Sequence, residues 1–131
     1  MDRLFLDANV LFSAAYREDS SLLRLWKLEH VELVTSAYAF EEARRNLDTE
    51  RQLDRLQELT RNLRVVPESA VALPEEVMLP EKDLPILEAA IAADASHLIN
   101  GDRKDFGPYF GQKLAGVWVM TPREYLSGRE S

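Results

Sequence analysis

The chain has 131 residues, of which 46% are hydrophobic and 30% are charged, so we expect one folded domain over residues 1–131 and not a disordered chain. It contains no cysteine, which excludes disulfides, thiolate zinc sites and thiol nucleophiles. The net charge of −7 counts against a phosphate-rich partner, because nucleic-acid binding depends on cationic neutralisation. No stretch resembles a signal peptide or approaches the ~20 apolar residues that span a bilayer, so a soluble cytoplasmic protein is expected.

Short apolar runs alternate with amphipathic stretches in the first half of the chain. Ser36 is well placed to cap a helix, since serine is a favoured N-cap residue. Leucines at three- and four-residue spacing predict a later helix with one apolar face. We expect strands at 4–6 and 31–35, and helices at 10–16, 22–28, 37–47 and 53–63.

The second half continues the alternation after a proline-punctuated stretch, 68–82, that predicts a surface excursion. We expect strands at 64–66, 98–100 and 116–120, an alanine-rich helix at 84–95, and a last short helix opened by Thr121 and Pro122. Alternating strands and helices of these lengths predict an α/β fold. The expected architecture is a three-layer sandwich, in which helices flank a central parallel sheet of about five strands.

Four acidic residues lie where a predicted strand ends or near the start of a predicted helix: Asp7, Glu42, Asp83 and Asp102. In an open parallel sheet, strand ends of the same polarity share one edge, and ligands bind there. Carboxylates gathered at that edge repel one another unless a cation joins them. Mg²⁺ and Mn²⁺ are the hard cations that suit oxygen ligands, so the pattern predicts a divalent-metal site.

Each acid also has a purely structural interpretation. Asp83 and Asp102 precede helices and could serve as N-caps. Asp7 directly follows an apolar strand, where a buried carboxylate could pair with an arginine. Glu41 and Glu42 point about 100° apart on a helix, so one of them is expected to face solvent.

Other polar and aromatic residues are less informative. Arg103 and Lys104 follow Asp102 and are candidates for phosphate contacts, although a solvated basic pair is an equally simple interpretation. Trp26 and Trp118 fall in apolar runs, so we expect both in the core.

The order of these motifs resembles the PIN-domain family of metal-dependent nucleases. Residues 6–11, Leu-Asp-Ala-Asn-Val-Leu, look like the family's first motif, an apolar strand closing on Asp-x-Asn. Residues 36–47 resemble its second motif, a helix that carries one glutamate, and 83–106 and 121–126 resemble its C-terminal part. One departure is Asn100, which stands where the family often has Thr or Ser.

The resemblance implies a ligand set and a group of supporting residues. Asp7, Glu42, Asp83 and Asp102 would bind one or two Mg²⁺ or Mn²⁺ ions and carry catalysis, with Asp105 as a fifth carboxylate. Residues that would support the site or bind substrate are Asn9, Ser36, Asn100, Arg103 and Lys104.

The activity implied by the resemblance is that of a divalent-metal-dependent endoribonuclease with RNA as substrate. Small members of the family are often toxins held by an antitoxin, while others are orphan or processing enzymes. The apolar stretches 22–28 and 53–63 offer a surface for an antitoxin or for a second copy in a homodimer. The alternative is a catalytically inactive PIN-like module that binds RNA or protein.

Two unrelated acidic-site folds fit less well. A receiver domain needs an aspartate at the end of its third strand, where this chain has Val66 and Pro67. A haloacid-dehalogenase phosphatase needs a second aspartate two residues after its nucleophile, and position 9 is Asn9.

Overall fold

A computed structural model of the chain describes residues 1–67, 73, 77–101 and 106–130. The predicted site residues Asp102, Arg103, Lys104 and Asp105 lie outside the described residues.

Within the described ranges, a six-stranded sheet forms the centre of the fold, with the strand order β3-β2-β1-β4-β6-β5. Each neighbouring pair is parallel except β5 and β6, which are antiparallel. This sheet confirms the predicted α/β fold and adds a two-residue edge strand that the sequence did not reveal. The strands are β1 (Asp2–Leu6), β2 (Val31–Ser36), β3 (Arg64–Val66), β4 (His97–Ile99), β5 (Lys113–Leu114) and β6 (Val117–Met120).

Helices connect the strands, and most begin with a side-chain cap. Ser36 Oγ accepts a hydrogen bond from the Ala39 amide at 3.0 Å, which confirms it as the cap of the second helix. Thr49 and Gln52 form a reciprocal capping box at the third. The α-helices are α1 (Ala8–Tyr16), α2 (Ala37–Asn46), α3 (Glu50–Thr60), α4 (Leu84–Ala92) and α5 (Pro122–Glu130).

Among the residues that the structure describes, three short segments are 3₁₀-helices: Ser21–Lys27, Glu81–Asp83 and Gly107–Tyr109. The predicted helix over 22–28 is therefore 3₁₀ in form. Its Leu25 is fully buried, as is Leu56 of α3. Because the apolar residues of 22–28 and 53–63 pack largely on the core, these stretches leave less apolar surface for a partner than the sequence suggested.

The core lies on both faces of the central strand β1. Its Leu4, Phe5 and Leu6 have 0% exposure, as expected for an uninterrupted apolar run in a parallel sheet covered on both sides. The prediction that Trp118 lies in the core is wrong, because its side chain is 39% exposed. It alternates with the buried Val117 and Val119 along β6, so it projects from the opposite face of that strand. No helix within the described residues is long and apolar enough to cross a membrane.

Candidate active site

Asp7 is the residue at which the central strand becomes a helix. It follows β1 directly, and its Oδ1 accepts a hydrogen bond of 2.5 Å from the Ala8 amide, so it caps α1. Its backbone amide still donates to the Ile99 carbonyl of β4 at 3.1 Å. The side chain is only 4% exposed. The fold therefore holds this carboxylate at the carboxyl edge of the sheet.

Two asparagines fix the surroundings of Asp7. Asn100, which is fully buried just beyond β4, donates from Nδ2 to Asp7 Oδ2. Asn100 Oδ1 in turn accepts from Asn9 Nδ2 at 3.2 Å, and Asn9 Oδ1 accepts from the Gly101 amide at 2.8 Å. Asn9 and Asn100 thus tie the start of α1 to the end of β4.

The two adjacent glutamates of α2 have different surroundings. Glu41 forms an ion pair with Arg44, one turn later on the exposed side of the helix. The Arg44 guanidinium lowers the pKa of the Glu41 carboxyl. Glu42 instead lines a pocket that also contains Asp7. Glu42, the glutamate predicted as a site residue, is therefore the one that lines the pocket.

Tyr38 lies between Glu42 and the segment that carries Asp83. Its hydroxyl oxygen lies 3.0 Å from the Lys82 carbonyl oxygen and within hydrogen-bonding reach of the Glu42 carboxylate, so its one proton is shared between two acceptors. Burial, then the hydrogen bond and charge of Glu42, and then the charge of Asp83 raise the pKa of Tyr38 to about 12. The phenol is therefore protonated at neutral pH and can act as a donor.

Asp83 ends the 3₁₀-helix before α4 and is 9% exposed. Although it stands at the N-cap position, its side chain makes no hydrogen bond to the described backbone of the first turn of α4. The Asp83 side chain thus does not cap α4, whereas the Asp7 side chain caps α1. Asp83 lines the same pocket as Asp7 and Glu42.

The pocket that joins these acids has a volume of about 390 Å³. Three carboxylates and one ammonium, from Lys82, are among its lining residues, which leaves a formal excess of two negative charges. Three distant segments of the chain therefore bring acidic groups to one cavity. The lining consists of Asp7, Ala8, Asn9, Phe12, Glu42, Ala43, Asn46, Lys82 and Asp83.

The donor set of the pocket suits a hard divalent cation. Within the described part of the chain, no three Asp, Glu or His side chains are clustered tightly enough to hold one ion directly. Mg²⁺, however, usually keeps several waters and is bound through one or two carboxylates. A carboxylate also offers about four lone-pair sites, so the two hydrogen bonds that Asp7 accepts are compatible with metal coordination. The residues present fit a hydrated Mg²⁺ or Mn²⁺.

Some residues of the pocket were not predicted from the sequence, and two predicted residues, Ser36 and Asn100, are not among its lining residues. Asn46 follows Glu42 by four residues, and this helical spacing could have revealed it. Lys82 is adjacent to Asp83 but fell within the predicted surface excursion. Ser36 is fully buried, and it caps α2 without lining the pocket.

Comparison with known proteins agrees with the fold and the order of motifs. The sequence model of a family described as "PIN domain" matches residues 3–104. The chain belongs to the PIN-domain family. No curated protein sequence matches this PIN domain.

Solved structures share the PIN fold at low sequence identity. One chain of VapBC2 from Rickettsia felis, crystallised with a DNA fragment from its promoter, superposes with a TM-score of 0.70 and 18% identity. The match covers 91% of this PIN domain and 98% of that chain. VapC20 of Mycobacterium tuberculosis is described as a toxin that cleaves the sarcin–ricin loop. It superposes with a TM-score of 0.55 and 12% identity, and the match covers 77% of this chain and 91% of VapC20.

Proposed function

We propose that this PIN domain is a divalent-metal-dependent endoribonuclease that hydrolyses phosphodiester bonds of RNA. The observation that carries the proposal is the convergence of Asp7, Glu42 and Asp83 on one pocket at the carboxyl edge of the parallel sheet. Membership of the PIN-domain family supports nuclease chemistry. The choice of RNA over DNA rests on the family and on the toxin that cleaves the sarcin–ricin loop.

The proposed roles follow from how each acid is held. Asp7, fixed by the Ala8 amide and by Asn100, would be the central ligand of the cation. Glu42 and Asp83 would hold water bound to the cation or orient the attacking water. Asp102 and Asp105, which lie outside the described residues, would complete the ligand set, with Arg103 and Lys104 as phosphate contacts. A bound Mg²⁺ or Mn²⁺ would lower the pKa of the attacking water and neutralise charge on the phosphate.

Neighbouring residues prepare the acids for this reaction. The oxygen of water forms a bond to phosphorus, the bond from phosphorus to the leaving oxygen breaks, and that oxygen takes up a proton. Tyr38, which is protonated at neutral pH, holds Glu42 by hydrogen bonding and thereby restricts its rotamers. Lys82 lines the same pocket, and its ammonium would attract the phosphate of the substrate.

The two adjacent glutamates of α2 provide a matched test. Glu42→Gln should reduce Mn²⁺-dependent cleavage of a generic RNA by at least about a hundredfold, in line with the loss of one electrostatic or acid–base group from a site. Glu41→Gln makes the same chemical change outside the pocket and should cleave like the wild type. Equal activity of the two variants would refute the role given to Glu42. Asp7 is less suitable for this test, because it also caps α1.

We further propose that the protein is the toxin of a toxin–antitoxin pair. The support is structural similarity to a chain of VapBC2 and to the toxin VapC20. Induced expression of the wild type should stop growth of a bacterial host, and Glu42→Gln should not. Growth arrest by the Glu42→Gln variant would show that toxicity does not come from cleavage.

A further inference from the structure

The segment 77–83 carries Lys82 and Asp83 to the pocket lined by the three acids, which is called the acidic pocket below. Its last three residues form the 3₁₀-helix Glu81–Asp83, and the four before them belong to no helix or strand. Its exposed residues are Met78, Pro80, Glu81 and Lys82. A segment with few buried side chains and few internal backbone hydrogen bonds has little stability of its own. Contacts from outside the segment therefore decide where Asp83 lies.

Two tyrosine hydroxyls contact the backbone of this segment near its two ends. The Tyr109 hydroxyl accepts a hydrogen bond of 2.7 Å from the Met78 amide. The Tyr38 hydroxyl oxygen lies 3.0 Å from the Lys82 carbonyl oxygen. Both rings are partly buried and pack against the hydrophobic core, so the packing of each ring fixes the position of its hydroxyl. The two tyrosines are called the tyrosine clamp below.

The tyrosine clamp joins the segment of Asp83 to two other parts of the chain. Tyr38 lies on α2, one turn before Glu42, and its hydroxyl is within hydrogen-bonding reach of the Glu42 carboxylate. Tyr109 is the last residue of a 3₁₀-helix, and its amide donates to the carbonyl of the fully buried Phe106 at 2.8 Å. Neither tyrosine is among the described residues that line the acidic pocket. Any effect of the clamp on the pocket must therefore pass through the residues that it holds.

We propose that Tyr38 and Tyr109 are positioning residues: by holding both ends of the segment 77–83, they keep Asp83 where it can share a hydrated Mg²⁺ or Mn²⁺ with Asp7. The inference rests on the proposed nuclease function and deepens it, because it assigns part of the metal affinity to residues outside the acidic pocket. Removal of the outer partners of metal ligands typically lowers metal affinity or activity by about 10–100-fold. Loss of either hydroxyl should have an effect of this kind.

The test changes each tyrosine to phenylalanine, which removes one oxygen atom and leaves the ring. Tyr125→Phe is the matched control, because the Tyr125 hydroxyl donates to Asp2 Oδ2 at 2.6 Å. Asp2 begins β1, at the end of the strand opposite to Asp7. Electron paramagnetic resonance of free Mn²⁺ during a titration gives the affinity of each variant without RNA. Thermal unfolding in EDTA gives the Tm of the same variants.

Tyr38→Phe and Tyr109→Phe should bind Mn²⁺ about tenfold more weakly than the wild type, whereas Tyr125→Phe should bind it like the wild type. All three variants lose one hydroxyl contact, so a fall in Tm is expected for each of them. The Mn²⁺ affinity is thus the measurement that separates positioning from a general contribution to stability. The Mn²⁺ concentration that gives half-maximal RNA cleavage should rise by the same factor in the two clamp variants.

A double variant tests whether the clamp acts through Asp83. Tyr109 is the better choice for it, since the Tyr38 hydroxyl also lies beside Glu42. Asp83→Asn alone should weaken Mn²⁺ binding. Adding Tyr109→Phe to Asp83→Asn should then lower the affinity by less than about twofold more, because changes that act through one group are not additive.

Two results would overturn the proposal. One is equal Mn²⁺ affinity in the two clamp variants and in Tyr125→Phe. The other is a full further tenfold loss when Tyr109→Phe is added to Asp83→Asn, which would show that the tyrosine does not act through that carboxylate. A wild type that binds Mn²⁺ with the expected dependence on both tyrosines but cleaves no RNA would instead refute the nuclease function and leave the tyrosine clamp in place.

Discussion

Asn100 allows a direct test of how the fold holds the carboxylate of Asp7. Its fully buried amide donates to Asp7 Oδ2, and a hydrogen bond to a charged group stabilises a protein by about 1.5–3 kcal/mol. Asn100→Ala should therefore lower the free energy of unfolding by about 2 kcal/mol in EDTA. For a chain of this length, that corresponds to a fall in Tm of about 5–8 °C.

The isosteric change Asn100→Asp should have a larger effect. It replaces the donating amide with a second carboxylate facing Asp7, so like charges meet at a site that is almost closed to solvent. In EDTA, this variant should unfold at lower denaturant than Asn100→Ala. Saturating Mn²⁺ should then stabilise Asn100→Asp more than the wild type, because a cation that binds only the folded state shifts unfolding by mass action.

Urea denaturation followed by circular dichroism, with and without millimolar Mn²⁺, would measure both effects. Equal stability of Asn100→Asp and Asn100→Ala in EDTA, together with an equal response to the metal, would refute the role of Asn100 in holding the Asp7 carboxylate. Asn100→Ser, which restores a residue that the family often has at this position, should lie between the wild type and Asn100→Ala.

Three further changes probe the surroundings of the site and the fold. The phenolate absorbance of Tyr38 can be isolated as the difference between the wild type and Tyr38→Phe, and it should rise near pH 12. Glu42→Gln should shift this rise to lower pH. A rise near pH 10 in the wild type would contradict the hydrogen bond between Tyr38 and Glu42. Burial lowers the pKa of His97 below 6.5 in the folded protein. As the pH falls, the imidazole is therefore protonated in the unfolded chain before it is protonated in the folded one. The free energy of unfolding should begin to fall as the pH drops through about 6.5. His97→Gln should flatten that part of a plot of unfolding free energy against pH, and an unchanged slope would exclude His97 as its source. Thr49→Ala removes the capping box of α3 and should lower the free energy of unfolding, measured in denaturant, by about 1 kcal/mol. RNA cleavage should be unchanged. A loss of cleavage would link α3 to the site.

Most of the sheet and the outline of the site could be predicted from the sequence. The run Leu4–Leu6 predicted the first strand, and its uninterrupted apolar residues agree with the burial of both faces that the structure shows. The end of that strand located Asp7, and the resemblance of residues 36–47 to the second family motif selected Glu42 over Glu41. These predictions depended on local patterns whose period is fixed by backbone geometry.

Other features depend on tertiary contacts that local patterns do not contain. Segment 22–28 has the composition of an α-helix but forms a 3₁₀-helix, with Leu25 buried in the core. Trp118 was assigned to the core because its neighbours are apolar, whereas the alternation of β6 places it outward, near Lys113, whose Nζ lies 5.7 Å from its ring centroid. Lys82 reaches the pocket because the Tyr38 hydroxyl binds its carbonyl, a contact between residues 44 positions apart in the chain.

The interleaved order of the strands has a consequence for synthesis on the ribosome. β1 pairs with β2 on one side and with β4 on the other, and β4 in turn pairs with β6. Asn100, which secures Asp7, therefore cannot take its place until the C-terminal third of the polypeptide has emerged. Under the proposed ribonuclease function, this delay would keep a nascent copy harmless to the message that encodes it.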